Sequence, residues 1–256
     1  MQHFFVDKSC IDEAARRVVI TGSDYNHIKN VLRMAKGEEL SVSLKEDTEE
    51  RVEYRLGILK YTDNSVICEI RFTKEANAEL PCRIYLFQGL PKSDKMEYIV
   101  KKAVELGAYE IIPVAMKRSV VKLDEKKALA KIGRWQQISE AAAKQSKRAI
   151  IPGVGNVMSF PEAVETAKGL DRVLIPYELM KDENSSAMDR TREVIGSIEQ
   201  GQSIGIFVGP EGGFDEDEIA LAEKSGFEKI SLGNRILRTE TAPLCVLSFL
   251  IYALDK

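Results

Sequence analysis

The hydrophobic rhythm of the chain changes near residue 75. Over residues 1–74, apolar positions come in short runs: FFV at 4–6, RVVI at 17–20, ELSVSL at 39–44, VEYRLGILKY at 52–61 and SVICEIRF at 65–72. Runs of this length, rich in β-branched residues and separated by turn-forming polar stretches, predict strands. Between the second and third runs, GSDYNHIKNVLRMAKGEEL predicts one short helix. Ser23 or Asp24 can cap it, residues 27–32 continue it, and Gly37 ends the excursion. The expected result is a small β-barrel with one inserted helix.

After Pro81, strands alternate with helices. RIYLFQGL at 83–90 predicts a buried strand, and Met96, Ile99, Val100, Ala103 and Leu106 recur at helical spacing before Gly107 stops the helix. Further strands are predicted at 110–114, 172–178, 203–209 and in KISLG, with helices at 126–146, 186–199, 215–225 and from Thr241 onward. Such alternation implies a mostly parallel sheet with helices on both faces, occupying residues 75–256 as a second domain. The last helix is apolar around its circumference from Leu244 to Leu254, which predicts burial in a core or a subunit interface.

Composition narrows the chemistry. Apolar residues make up 44% of the 256 and charged residues 30%, as in an ordinary folded protein. No run approaches the roughly 20 apolar residues that cross a bilayer, and MQHFFVDKSC lacks the pattern of a signal sequence, so a cytoplasmic protein without membrane contact is expected. Cys10, Cys68, Cys82 and Cys245 form no CxxC pair, and the only histidines are His3 and His27. Neither a metal site nor a disulfide framework is expected, and the cysteines read as small buried thiols. Nothing beside either histidine suggests a nucleophile and its base.

The net charge of −3 conceals segregation. Residues 117–148 hold ten Lys or Arg against three acids, whereas 209–228 hold seven acids against one lysine. A basic face of this kind can attract a polyanion locally, although a solvated helix face would look the same.

Two loops follow strands, where open α/β sheets bind ligands. GPEGGF, residues 209–214, allows a ligand to approach the backbone, or simply makes a tight turn. It lacks the spacing of a phosphate loop, and Asp215, Glu216, Asp217 and Glu218 already occupy the following helix start. A phosphate-free, even cationic, ligand is therefore expected. The second loop, SLGNRILRTETAP, places Arg235, Arg238 and Glu240 before the last helix. There Thr239 or Thr241 can cap and Pro243 fits the first turn.

FVGPEGGFDEDEI followed by ISLGNRILRTETAP strongly resembles the RsmE family of SPOUT-class RNA methyltransferases, which methylates N3 of a uridine in small-subunit (16S) ribosomal RNA. HIKNVLRMAKGEEL is similar to its PUA-like N-terminal domain, GLPKSDKMEYIVKKAVELGAYEIIPV to its first βαβ unit, and KRSVVK with RWQQISEAAAKQSKR to its central region. The resemblance implies a trefoil-knotted α/β domain, a rare threaded topology. It also implies S-adenosylmethionine bound bent in the knot, and a homodimer packed through knot helices. The implied cofactor residues are Gly209, Pro210, Glu211, Gly212, Gly213, Leu232, Gly233, Ile236, Leu237, Arg238, Thr241 and Ala242. His3 stands where the family often has arginine, and Lys144 where an acid is common.

Uridine N3 must lose a proton before it attacks. A carboxylate can take the proton while a guanidinium stabilises the resulting charge. Arg238 is the candidate for the second role, with Arg235 assisting or holding phosphate; Glu240 and Glu178 are candidate bases, and Glu240 can alternatively pair with an arginine. His3, Lys29, Arg33, Lys36, Lys117, Arg118, Arg134, Lys147 and Arg148 are the expected RNA contacts, on ribosomal RNA or the assembled small subunit. Rival readings are a knotted enzyme acting on a ribose 2′-hydroxyl or another base, a non-catalytic RNA-binding factor, and an ATP-binding α/β protein.

Overall fold

The computed structural model describes residues 1–48, 51–177 and 187–255, and the chain forms two compact units. The first comprises residues 1–79 together with 143–151; the second comprises 80–142 and 152–256.

In the first unit, β1 (Gln2–Val6), β2 (Ile11–Asp12), β3 (Arg17–Thr21), β4 (Glu39–Leu44), β5 (Val52–Tyr61) and β6 (Ser65–Glu75) form one sheet in the order β1-β4-β5-β6-β3-β2. β1 and β4 pair in parallel, and the other described neighbours pair antiparallel. Phe4 and Val6 near one end of that order share a single core with Val18 and Ile20 near the other, so the sheet is rolled upon itself. Irregularities in β5 between Arg55 and Leu56 and between Ile58 and Lys60 allow that curvature.

The inserted helix differs in detail from expectation. It starts earlier, as α1 (Gly22–Asn26), and Thr21 at its N-cap makes no side-chain bond; neither Ser23 nor Asp24 is the cap. Residues 27–31 form a wide π turn that buries Ile28 and ends with Arg33 at φ 52°.

The second unit begins with β7 (Arg83–Gly89), α2 (Lys95–Glu105), β8 (Glu110–Ala115) and α3 (Glu125–Ser146), whose last turn belongs to the first unit. It continues with β9 (Gly153–Val154), β10 (Met158–Ser159), α4 (Phe160–Ala167), β11 (Arg172–Pro176), α5 (Ala187–Gly196), β12 (Ser203–Val208), α6 (Glu216–Lys224), β13 (Glu228–Ile230) and α7 (Ala242–Leu254). The strands run parallel in the order β10-β8-β7-β12-β11-β13, with β9 beside β8.

Alternation along the strands fills both faces. One face carries Phe87, Ile112, Val173 and Phe207 against α4 and α6, with Phe87 and Phe207 stacked at 4.4 Å. Helix α5 lies against β13 and α7 against β12, and α7 also touches both α2 and α5.

Two differences from the sequence reading concern this unit. Helix α4 was not predicted, although Ser159 and Glu162 form a reciprocal capping box and Pro161 lies in its first turn. Helix α7 is not buried on all sides within one chain. Val246, Leu247, Leu250 and Leu254 are buried, but Phe249 and Ile251 are only half-buried and Tyr252 is 92% exposed.

Candidate active site

A cavity of about 600 Å³ opens at the carboxyl ends of β11, β12 and β13. Residues 208–214 and 231–239 form most of its wall, joined by Tyr177, Lys95, Arg118 and Ala242. Gly209, Pro210, Glu211, Gly212, Gly213, Leu232, Gly233, Ile236, Leu237 and Arg238 all line it, although they come from two segments separated in sequence. Thr241 does not line it; it occupies the N-cap position of α7 without a side-chain bond.

The wall is glycine-rich for a packing reason. A Cβ on Gly209 would lie 3.2 Å from the backbone of Gly213, and one on Gly212 would lie 3.0 Å from the Arg118 side chain. Gly213, at φ 66°, closes the turn by donating its N–H to the carbonyl of Pro210 at 2.9 Å. The loop is thus a tight turn as well as a ligand wall.

Segment 231–241 is irregular but anchored. The Gln88 amide donates to the Thr239 hydroxyl at 3.1 Å, and that hydroxyl donates to the Gly209 carbonyl at 2.7 Å. Thr239 is therefore a cross-loop tie rather than a helix cap. At the other end, Thr191 of α5 donates to the Ser231 carbonyl at 3.0 Å and accepts the Ser231 N–H at 2.9 Å.

The charged residues fall into distinct arrangements. Arg235 and Arg238 are exposed at the cavity, and their guanidinium groups make no hydrogen bond or ion pair among the described residues. Glu240 does not line the wall; its Oε2 lies 3.0 Å from Lys95 Nζ. Burial opposes its ionisation, but Lys95 and then the Arg238 charge outweigh this and hold its carboxyl below the ordinary range. That makes Glu240 a weakened base. Glu178 lies outside the described residues.

The acidic start of α6 meets cations of the chain itself. Asp215 caps the helix in a reciprocal box with Glu218, and Lys117 Nζ reaches Asp215 at 2.6 Å and Asp217 at 2.9 Å. Arg118 Nε stands 3.5 Å from Asp215. The segregated charges seen in the sequence are thus partly paired, and the acids do not wait for a cationic ligand.

Other expected RNA contacts divide by exposure. Lys29, Arg33, Lys36, Arg134 and Lys147 are exposed, with Lys29 against Tyr25 and Arg134 paired to Glu97 at 2.7 Å. Arg148 is only 3% exposed and forms a buried forked pair with Glu79, whose carboxylate also accepts the Ala149 N–H at 2.8 Å. It cannot meet a polyanion without leaving that pair. His3 is likewise buried, with Nδ1 2.9 Å from the Ser41 hydroxyl. Burial, assisted by Arg55, Lys144 and Lys147 against the opposing pull of Glu53, lowers its pKa to about 4. A neutral buried imidazole is no phosphate contact.

Sequence reasoning missed Lys95 and Gln88. The signal for Gln88 was a polar residue inside an apolar strand; Lys95 stood in GLPKSDKMEYIV with nothing to mark its partners.

The family patterns give a class to this architecture of a parallel α/β sheet, with a loop-walled cavity at its strand ends, that follows a rolled sheet: it is that of the RNA methyltransferases. The family pattern of the RNA methyltransferase domain matches residues 78–251, and that of the RNA methyltransferase PUA domain matches 20–52. The chain belongs to the ribosomal RNA small subunit methyltransferase E family. It is 38% identical to the Bacillus subtilis member, with 98% of this chain and 96% of that protein aligned. It is 33% identical to the Mesomycoplasma hyopneumoniae member, with 97% and 98% aligned. Among solved structures, the Neisseria gonorrhoeae ribosomal RNA small subunit methyltransferase E bound to S-adenosylmethionine superposes with a TM-score of 0.81 at 26% identity, covering 99% of this chain and 98% of that one. A putative Legionella pneumophila methyltransferase, also holding that cofactor, gives 0.80 at 28% identity, covering 98% and 97%.

Proposed function

We propose that this chain uses S-adenosylmethionine to methylate N3 of a uridine in small-subunit (16S) ribosomal RNA. The observation that carries the reading is the cavity itself. Its wall is formed by two loops that expose backbone groups, two guanidinium groups stand at its mouth unpaired among the described residues, and the adjoining helix start is already filled by carboxylates. Such a site suits a phosphate-free adenosine and methionine ligand.

S-adenosylmethionine supplies a methyl group on a sulfonium. The remaining task is alignment and exclusion of water. Residues 209–213 and 232–238, with Ala242, would hold the donor. Arg238 would stabilise the negative charge that spreads onto the uracil carbonyl oxygens as N3 loses its proton, and Arg235 would assist or hold a neighbouring phosphate. Glu240 is assigned to holding Lys95 rather than to proton removal, because its ion pair favours the charged form it already has. The target nucleotide must be unpaired or turned out of its helix for its Watson–Crick edge to be reached.

The wider reading has residues 1–74 holding RNA through Lys29, Arg33 and Lys36, and residues 75–256 carrying the chemistry. Threading of the 231–241 segment as a trefoil knot is supported by its ties to Gly209 and Gln88 and by the packing of α7 on α2 and α5. A homodimer is supported by the apolar outer side of α7, where Tyr252 is exposed beside half-buried Phe249 and Ile251. No described helix is long and apolar enough to cross a membrane, and a ribosomal RNA or small-subunit substrate fits a cytoplasmic enzyme.

Mass mapping of nucleosides in small-subunit RNA from cells with and without the protein tests this reading. Loss of a single 3-methyluridine is expected. Unchanged modification, or loss of a ribose 2′-methyl mark instead, would overturn it.

A further inference from the structure

We infer that Lys95 is a positioning residue that clamps the two loops of the cavity together, an inference that rests on the cavity being the donor site. Its ammonium stands 2.9 Å from Glu211 Oε1 in the 209–214 loop and 3.0 Å from Glu240 Oε2 in the 231–241 segment. The same Glu211 carboxylate accepts the Lys92 N–H at 3.1 and 3.3 Å, so the approach to α2 holds this side chain at two points. Gly89 brings that approach close, since a Cβ there would lie 2.7 Å from the Pro210 nitrogen.

One ammonium thus lies within ion-pair distance of a carboxylate from each of two loops that share no strand or helix, although the Glu240 oxygen is not aligned as a hydrogen-bond acceptor. The side chains of all three partners are at least half-buried, which limits screening by solvent. Loss of the cation leaves two carboxylates facing one another, so the loops are pushed apart as well as released. Lys95 acts through the backbone it orders and through the geometry of Arg238, two residues before Glu240, rather than through contact with the reacting atoms.

The test titrates S-adenosylmethionine into the full-length wild-type chain and into K95M, K95R and E211Q/E240Q with and without K95M. K95M should weaken affinity about tenfold, the scale of removing one cation shared by two partly buried carboxylates. K95R should recover to within about threefold, because a guanidinium fork can also span two carboxylates. Adding K95M to E211Q/E240Q should change affinity less than about twofold, since no repulsion remains to be exposed. The deficit of K95M should narrow as pH falls toward about 5, where protonation begins to relieve the repelling carboxylates. Amide exchange should quicken at 211–213 and 236–240 in K95M and nowhere else in the domain. With wild-type uptake intact, a K95M affinity within about twofold of wild type, an equal loss in K95R, or exchange quickened throughout the domain would overturn the clamp. No uptake by the wild-type chain would overturn the cavity reading and the clamp together.

Discussion

Thr239 donates its hydroxyl to the carbonyl of Gly209 at 2.7 Å, across thirty positions of sequence, and thereby fastens the segment before α7 to the end of β12. The same oxygen accepts from buried Gln88, whose Oε1 has no partner among the described residues. Thr239→Val keeps the shape but leaves the Gly209 carbonyl without its partner and the Gln88 amide with only its bond to the Gly89 carbonyl. Stability should fall by about 1–3 kcal/mol in urea unfolding, the cost of leaving buried polar groups unmade. A loss below about 0.5 kcal/mol would mean that the tie contributes little.

Arg238→Ala should lower single-turnover methyl transfer by about 100-fold or more while leaving S-adenosylmethionine affinity within a few-fold, because an oriented donor acts mainly on developing charge. A transfer rate unchanged to within about threefold would remove Arg238 from the chemistry.

Arg148→Met removes one partner of the pair with Glu79, both nearly buried at 3% and 7% exposure. Destabilisation of about 3–5 kcal/mol is expected from the uncompensated carboxylate, and Arg148→Met combined with Glu79→Gln should recover part of it. Unfolding followed in both variants distinguishes this structural role from an RNA contact, which would leave stability unchanged.

His3 predicts an acid sensitivity. Its pKa in the folded chain is about 4, against 6.5 when unfolded, so the unfolded state binds more protons between those values. Stability contributed by the neutral ring is present above pH 6.5 and is lost as pH falls toward 4, by about 3 kcal/mol at most. His3→Gln should flatten the dependence of unfolding free energy on pH in that window. An unaltered slope would assign the acid sensitivity elsewhere.

If Lys29, Arg33 and Lys36 hold phosphates, replacing all three with glutamine should weaken RNA binding and reduce the slope of log affinity against log salt by about 2–3. Filter binding at several salt concentrations measures this. An unchanged slope would remove this surface from the interface.

What the sequence disclosed followed the range of its signals. Repeating patterns such as Met96, Ile99, Val100 and Ala103 gave α2, and alternating or continuous apolar runs gave the longer strands, because burial on one face imposes a period. The two-residue strands β2, β9 and β10 are too short to carry any period. Helix α4 had its punctuation in Ser159, Pro161 and Glu162, a signal present but unread. The cavity wall was legible because glycine spacing and charged loops mark strand ends. Its electrostatics were not: Lys117 meets Asp215, Arg148 meets Glu79 and Lys95 meets Glu240 only after folding. Net charge counts cannot separate a buried pair from a free cation, so Arg148 and exposed Lys147 looked alike in sequence.

The most direct measurement supplies the purified chain with S-adenosylmethionine carrying a labelled methyl group and small ribosomal subunits lacking the modification, then identifies the labelled nucleoside. The account predicts label in 3-methyluridine of the small-subunit RNA, abolished when Arg238 is replaced by alanine. Label on a ribose, on another base, or on no RNA at all would contradict it.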